Sequence, residues 1–186
     1  GAFSGTGALT VAGAGGLTLS GVSSYTGLTT VTSSAITYAN NTPPSTSGFA
    51  GAGTVTIAPT TASSFTSAFT PNYTFASTLT GLTLGSNTNT TDITLGSAIN
   101  IAGPITVDAG QVTFGSSLQS TAANAAITIR AKTNIINSAL TTLTTSGGNI
   151  LLASNVDDLT DGESTINGYV QLRYGLVATS NAGSVP

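Results

Sequence analysis

The chain of 186 residues contains no histidine, cysteine, methionine or tryptophan, and only three basic and six acidic side chains. Each absence closes a class of chemistry. Without His or Cys there is no imidazole general base, no thiol nucleophile, and no zinc or haem site of the common kinds. Three cations cannot build the clustered positive surface that nucleic-acid phosphates require. Charged residues make up 5% of the chain, against roughly a quarter of an ordinary domain. Long apolar runs are missing too, and none approaches the ~18 residues of a membrane-spanning helix, so membrane insertion is not expected. Helix signals are equally scarce, with Glu163 and Lys132 the single Glu and Lys and no persistent apolar stripe at 3.6-residue spacing.

What fills the chain is threonine, 36 residues of it, with 23 serines and 23 glycines. The hydrophobic fraction of 39% and mean hydropathy of +0.31 argue against a solvated coil, which needs few apolar residues and a high net charge. The length suits one ordinary domain. The sequence opens at Gly1 within a Gly/Thr pattern, without an initiator Met or basic leader. It reads as a segment of a longer protein or a processed product.

A short unit recurs, an apolar–Thr–apolar triplet bounded by Gly, Asn or Ser. It appears as Leu9-Thr10-Val11, Leu17-Thr18-Leu19, Val55-Thr56-Ile57 and Leu82-Thr83-Leu84. It returns as Ile93-Thr94-Leu95, Ile105-Thr106-Val107, Val112-Thr113-Phe114 and Ile127-Thr128-Ile129. Alternation at period two with β-branched residues predicts short strands, and the chain is expected to be all-β. A longer period underlies the triplets. Leu82, Ile105, Ile127, Ile150 and Val170 open similar segments at offsets of 23, 22, 23 and 20. About three short strands per ~20–23 residues predicts one coil of a right-handed parallel β-helix, with handedness taken from the general preference of parallel crossovers. At that spacing the chain would form about nine coils and a rod roughly 40 Å long. The alternative is a Greek-key sandwich, which would show longer strands and usually large core aromatics.

Three stretches interrupt the pattern within this single segment, residues 1–186, and are expected to leave the helix as loops: 40–53, 58–78 and 155–168. The first is rich in Pro, Gly and Ser; the second holds Phe65, Phe69, Tyr73 and Phe75; the third is acidic. Insertions of this kind in a solenoid commonly form its partner-facing surface.

Two parts of the chain resemble known repeats. Residues 16–31, GLTLSGVSSYTGLTTV, resemble the autotransporter-associated β-strand repeat at Leu17, Thr18, Leu19, Ser20, Gly21, Tyr25, Thr26, Gly27, Thr29, Thr30 and Val31. Residues 79–152 resemble the filamentous-haemagglutinin-like repeats of very large bacterial surface adhesins. The matching stretches are LTGLTLGSNTNTTDITLGSAINIAGPITVDAGQVTF and SGGNILLASNVDD. The resemblance covers about half the chain. It implies core rungs at the Leu and Val positions and turns at Gly and Asn. It also implies an extracellular or cell-surface stalk that displays or forms an adhesive region, including in biofilms.

Candidate chemistry is sparse. Asp157, Asp158, Asp161 and Glu163 form an acidic turn that would suit calcium, a hard cation bound by carboxylate and carbonyl oxygens. The spacing fails the helical calcium loop, because Leu159 and Gly168 fall where oxygen ligands are needed. A solvated turn is the favoured reading, and no other cofactor is expected. Asp92 and Asp108 are out of phase with the coil, which disfavours a polysaccharide-cleaving carboxylate pair. Asp108 and Arg130, 22 apart, share a column and are expected to form an inter-coil ion pair near the surface. The aromatics Phe65, Phe69, Tyr73 and Phe75 are candidates for a sugar- or surface-binding platform; a satellite core against the helix flank is the competing reading.

A threonine face of the ice-binding kind needs Thr-x-Thr on one flat strand in every coil. The outward Thr at 83, 106 and 128 gives way to Leu151 and then Gln171, so threonine reads instead as a good exposed strand residue. Asn40, Asn72 and Asn89 each head an Asn-x-Thr triplet, a frequent chance match in so Thr-rich a chain. The resulting expectation is a non-catalytic stalk or adhesive segment of a bacterial extracellular fibre protein. Its partners would be a host or neighbouring-cell surface, a glycan or an abiotic surface. A self-assembling fibre or surface-layer subunit is the alternative, and a polysaccharide-acting β-helix enzyme the third reading.

Overall fold

The computed structural model describes residues 1–154 and, beyond them, the backbone of two short strands at 170–171 and 176–180. Every strand pairing is parallel, and the described residues contain no helix. In chain order the first eight strands are β1 (Leu9–Val11), β2 (Leu17–Leu19), β3 (Thr29–Val31), β4 (Ala35–Ala39), β5 (Gly48–Gly51), β6 (Thr54–Ala58), β7 (Thr74–Phe75) and β8 (Gly81–Gly85). Next come β9 (Ile93–Leu95), β10 (Ile99–Ile101), β11 (Ile105–Ala109), β12 (Val112–Phe114), β13 (Leu118–Ala123) and β14 (Ile127–Ala131). The last are β15 (Ile135–Asn137), β16 (Thr141–Ser146), β17 (Ile150–Ser154), β18 (Val170–Gln171) and β19 (Leu176–Ser180).

These strands wind into a β-solenoid of about seven turns, roughly 22 residues each. All eight apolar–Thr–apolar triplets lie in strands, because their outer residues point inward together while the threonine faces out. The main sheet has seven strands in the order β2-β4-β6-β8-β11-β14-β17. A second wall is β9-β12-β15-β18, and the remaining one is β1-β3-β5-β7 in the early coils and β10-β13-β16-β19 in the later ones. The main-sheet register runs Leu17↔Ile36, Ile36↔Val55, Val55↔Leu82, Leu82↔Ile105, Ile105↔Ile127 and Ile127↔Ile150. The coils between these partners differ in length. The first two are the shortest, the one from Val55 to Leu82 is the longest, and the last three are nearly equal.

The register expected from Leu82 to Ile150 holds residue for residue, but the fifth position does not. Val170 pairs with Ile135 in the second wall, not with Ile150 in the main sheet. The stretch from Ile135 to Val170 is longer than any coil of the main sheet, so a constant spacing overruns one wall. The estimate of nine coils fails for a related reason: it assumes that every residue winds at one spacing.

Of residues 40–53, 40–47 and 52–53 are irregular as expected, while Gly48–Gly51 form β5 and the stretch does not lengthen its coil. The coil from Ile36 to Val55 is among the shortest, which leaves no slack, and β5 lies within it with Phe49 fully buried. The glycines that make this stretch look like loop are demanded by close packing. A Cβ on Gly48 would collide with Thr74, and one on Gly51, at φ 94°, would collide with the Val31 carbonyl. Both positions exclude a side chain while remaining in a strand. Residues 58–78 do lengthen their coil, which is the longest of the main sheet, yet they continue the solenoid wall. Phe69 bridges Ile93 in parallel, one rung beside β9.

The interior changes character along the axis. From Leu82 to Leu143 it is mainly aliphatic, with residues such as Leu84, Ile93, Ile105, Val107, Ile127, Ile129 and Ile135 fully buried. Each such side chain contributes about 1.5–3 kcal/mol by leaving water. In the earlier coils the interior holds aromatics and hydroxyls: Tyr25, Thr29, Tyr38, Thr46 and Phe49 are all buried.

Candidate functional site

The charged column comes first. Asp108 and Arg130 are register partners on β11 and β14. The guanidinium grips the carboxylate with both teeth of its fork, Nε to Oδ1 at 2.8 Å and Nη2 to Oδ2 at 3.2 Å. The pair is where the sequence placed it, but it is less superficial than expected, since the Asp108 side chain is only 6% exposed and that of Arg130 24%. Burial raises the Asp108 carboxyl above its ordinary range, and the hydrogen bond and charge of Arg130 offset only part of that rise. Asp92 takes another task, its Oδ1 accepting the Gln111 backbone N–H at 2.9 Å and anchoring a corner between coils. Both described acids are thus held by structural partners. The calcium candidates Asp157, Asp158, Asp161 and Glu163 lie outside the described residues. Among the described residues no three His, Cys, Asp or Glu side chains come together to hold a metal.

Of the two readings of the four aromatics, an exposed platform or a core packed on the helix flank, the structure has the packed one. Phe65 and Phe69 belong to the core, at 4% and 5% exposure, and Tyr73 and Phe75 pack half-buried against it. Their rings join a column that runs from Phe65 and Phe69, at 5.1 Å, through Tyr73 to Phe49 at 5.3 Å. Phe49 also stacks on Phe75 at 5.7 Å. Aromatics in a Thr/Ser-rich insertion resemble a surface patch, and composition alone does not separate the two readings. The four pack into and against the core within the longest coil.

One side of this column does reach solvent. A cleft of about 390 Å³ opens between Pro43–Thr46 and Ser67–Tyr73. Tyr73 donates its hydroxyl to the Pro44 carbonyl at 2.7 Å, tying the two lips together. Burial, with a smaller contribution from Tyr25, pushes this phenol well above its usual range, so it stays protonated as a donor. Asn72 stands exposed at the rim. Its two counterparts are committed elsewhere. Asn40 donates to Ser20 O and accepts from Thr42 N, while Asn89 is fully buried and bridges Thr91, Phe65 and the Asp108 carbonyl. The cleft is therefore lined by uncharged residues, among them the amide of Asn72, hydroxyl side chains and the aromatics Phe69 and Tyr73.

Deeper inside lies a polar cluster that the sequence did not announce. Tyr25 hydrogen-bonds both Tyr38 and Thr29, Thr29 contacts Thr46 at 3.1 Å, and Thr46 donates to Gly27 O at 2.7 Å. Burial, chiefly, drives the Tyr38 phenol far above its normal range. The cluster satisfies hydroxyls that would otherwise be costly to bury.

The outer face of the main sheet carries a second regular feature. Thr18, Thr37, Thr56, Thr83, Thr106 and Thr128 are consecutive register partners, followed by Leu151. The interruption expected at Gln171 does not belong here, because that residue lies on the second wall. Comparison with protein-family models, with curated proteins and with solved structures finds no match for this chain.

Proposed function

We infer that the chain is a rigid, non-catalytic stalk segment that bears an adhesive contact on the outside of a bacterial cell. The observation that carries this reading is the unbroken parallel register of the main sheet from β2 to β17 over one continuous core. Each coil is bonded to the coils on either side along its strands, so the solenoid resists bending and serves as a spacer. Asp108, Arg130 and Asp92 act within that scaffold as staples between coils. The resemblance to repeats of large surface adhesins supports the same reading.

The contact assigned to the adhesive role is the cleft at Pro43, Pro44, Asn72 and Tyr73. Neutral donors and acceptors beside aromatic residues suit the hydroxyls and ring faces of a glycan. The test is retention of the purified chain on immobilised glycans and on cell and abiotic surfaces, with Asn72→Ala as the probe of the rim. Retention weakened by that change supports the reading. A folded chain that binds none of these surfaces, or one that turns over a polysaccharide, contradicts it.

A further inference from the structure

The threonine column of the main sheet is too regular to be explained by strand preference alone. Six successive rungs carry Thr at the same outward position, although the coils joining them differ in length, shortest before Thr56 and longest between Thr56 and Thr83. The chain absorbs each change of coil length elsewhere and returns a threonine to the column. Strand propensity should populate all the walls alike, and it does not. The equivalent outward columns read Thr10, Thr30, Ala50 on one sheet, Thr94, Thr113, Ile136 on another, and Asn100, Gln119, Thr144 on a third.

The chemistry of the ladder is uniform. None of its six hydroxyls hydrogen-bonds another described residue, whereas turn threonines such as Thr32 and Thr133 donate to backbone carbonyls of the preceding coil. Six methyl and hydroxyl pairs therefore face outward along about 24 Å, five inter-strand steps of ~4.8 Å. The flanking columns keep the row accessible. Ala35, Thr54, Gly81, Pro104 and Ala126 stand on one side, and Ala39, Ala58 and Gly85 on the other. Charge enters only beside the last two threonines, where Asp108 and Arg130 neutralise one another.

We propose that this face binds ice through its single threonine column, with mostly small flanking residues standing where the second threonine of each Thr-x-Thr pair is expected. An uncharged row of identical hydroxyls at a fixed repeat complements a lattice of water oxygens that is itself uncharged and periodic, with a row repeat close to that of the strands. A single threonine holds one water weakly. A ladder in register makes each later contact intramolecular once the first has formed, and the contacts then act together. A crystalline polysaccharide is also periodic and rich in hydroxyls, but its sugar faces favour flat exposed aromatic rings. On the main sheet the outward column offers threonine, and among the described residues no aromatic ring stands beside it.

The test is microscopy of single ice crystals in solutions of the purified chain, together with thermal hysteresis. The wild-type chain is expected to facet ice crystals and to depress their growth temperature. The pair Thr56→Tyr with Thr83→Tyr should abolish both effects, while Thr113→Tyr, on the second wall, should leave them unchanged. Tyrosine is a good exposed strand residue, and an unchanged melting transition confirms that the variants fold. Leu151→Thr extends the ladder by one rung and should increase hysteresis, a gain that misfolding cannot produce. A folded wild-type chain that leaves ice unshaped overturns the proposal, as does full activity in the ladder double variant. Ladder variants that abolish pelleting with crystalline cellulose or self-association, in a wild-type chain inactive on ice, would also overturn it and reassign the face.

Discussion

At the scale of single residues, the polar groups inside the solenoid are its most sensitive points. Removing Arg130 leaves the Asp108 carboxylate nearly enclosed and without its counter-charge. Arg130→Leu should destabilise the fold by about 2 kcal/mol, between the ~0–1 of an exposed pair and the ~3–5 of a fully buried one, as read from denaturant melts. The pH dependence follows from the raised carboxyl of Asp108. A group that holds its proton more tightly when folded stabilises most below its unfolded value, and that contribution is lost as pH rises through the folded one. Compared with Asp108→Asn, the wild-type protein should therefore be relatively most stable in acid. Its advantage should shrink as pH climbs above the ordinary aspartate value of 3.8. A wild-type advantage that grows with pH would show that Arg130 outweighs burial. In the inner hydroxyl cluster, Tyr25→Phe strips Tyr38 and Thr29 of a shared partner and should cost about 1–3 kcal/mol in the same melts.

At the scale of strands, the alternation of inward and outward residues sets the expected contrast. Ile105 is fully buried at the centre of the main sheet, while its neighbour Thr106 faces out. Ile105→Ala should cost about 2–5 kcal/mol, and Thr106→Ala well under ~1 kcal/mol by the usual behaviour of surface changes. Gly85 gives a further check: at φ 84°, an added Cβ would meet the Asp108 carbonyl. Gly85→Ala should lower the melting temperature and loosen the β8–β11 junction in hydrogen exchange. The same alternation makes the strands legible, since a triplet such as Ile105-Thr106-Val107 shows its pattern without any neighbour. Two kinds of element hide from it. The strand around Phe49 is obscured because steric demand at Gly48 and Gly51 selects the same residues as flexible turns do. The threonine column is legible only from Thr83 to Thr128, where successive coils are nearly equal in length. It is lost where they shorten before Val55 and lengthen before Leu82.

At the scale of the whole molecule, the solenoid is a stack of coils in one register. Its faces differ in chemistry: a neutral cleft over an aromatic column, and a main sheet that carries the threonine ladder with a charged staple beside its last two rungs. Position along the stack is thus the quantity to measure, and spin labels on the ladder read it directly. Paired cysteine substitutions at Thr18 with Thr56, Thr83, Thr106 or Thr128 span two, three, four and five rungs. The label separations should rise by a constant ~4.8 Å per rung, reaching about 24 Å of backbone spacing for the Thr18–Thr128 pair. Separations that fail to increase in that order, as in a sandwich where Thr18 and Thr83 could be the farther pair, would contradict the stacked register and every assignment built on it.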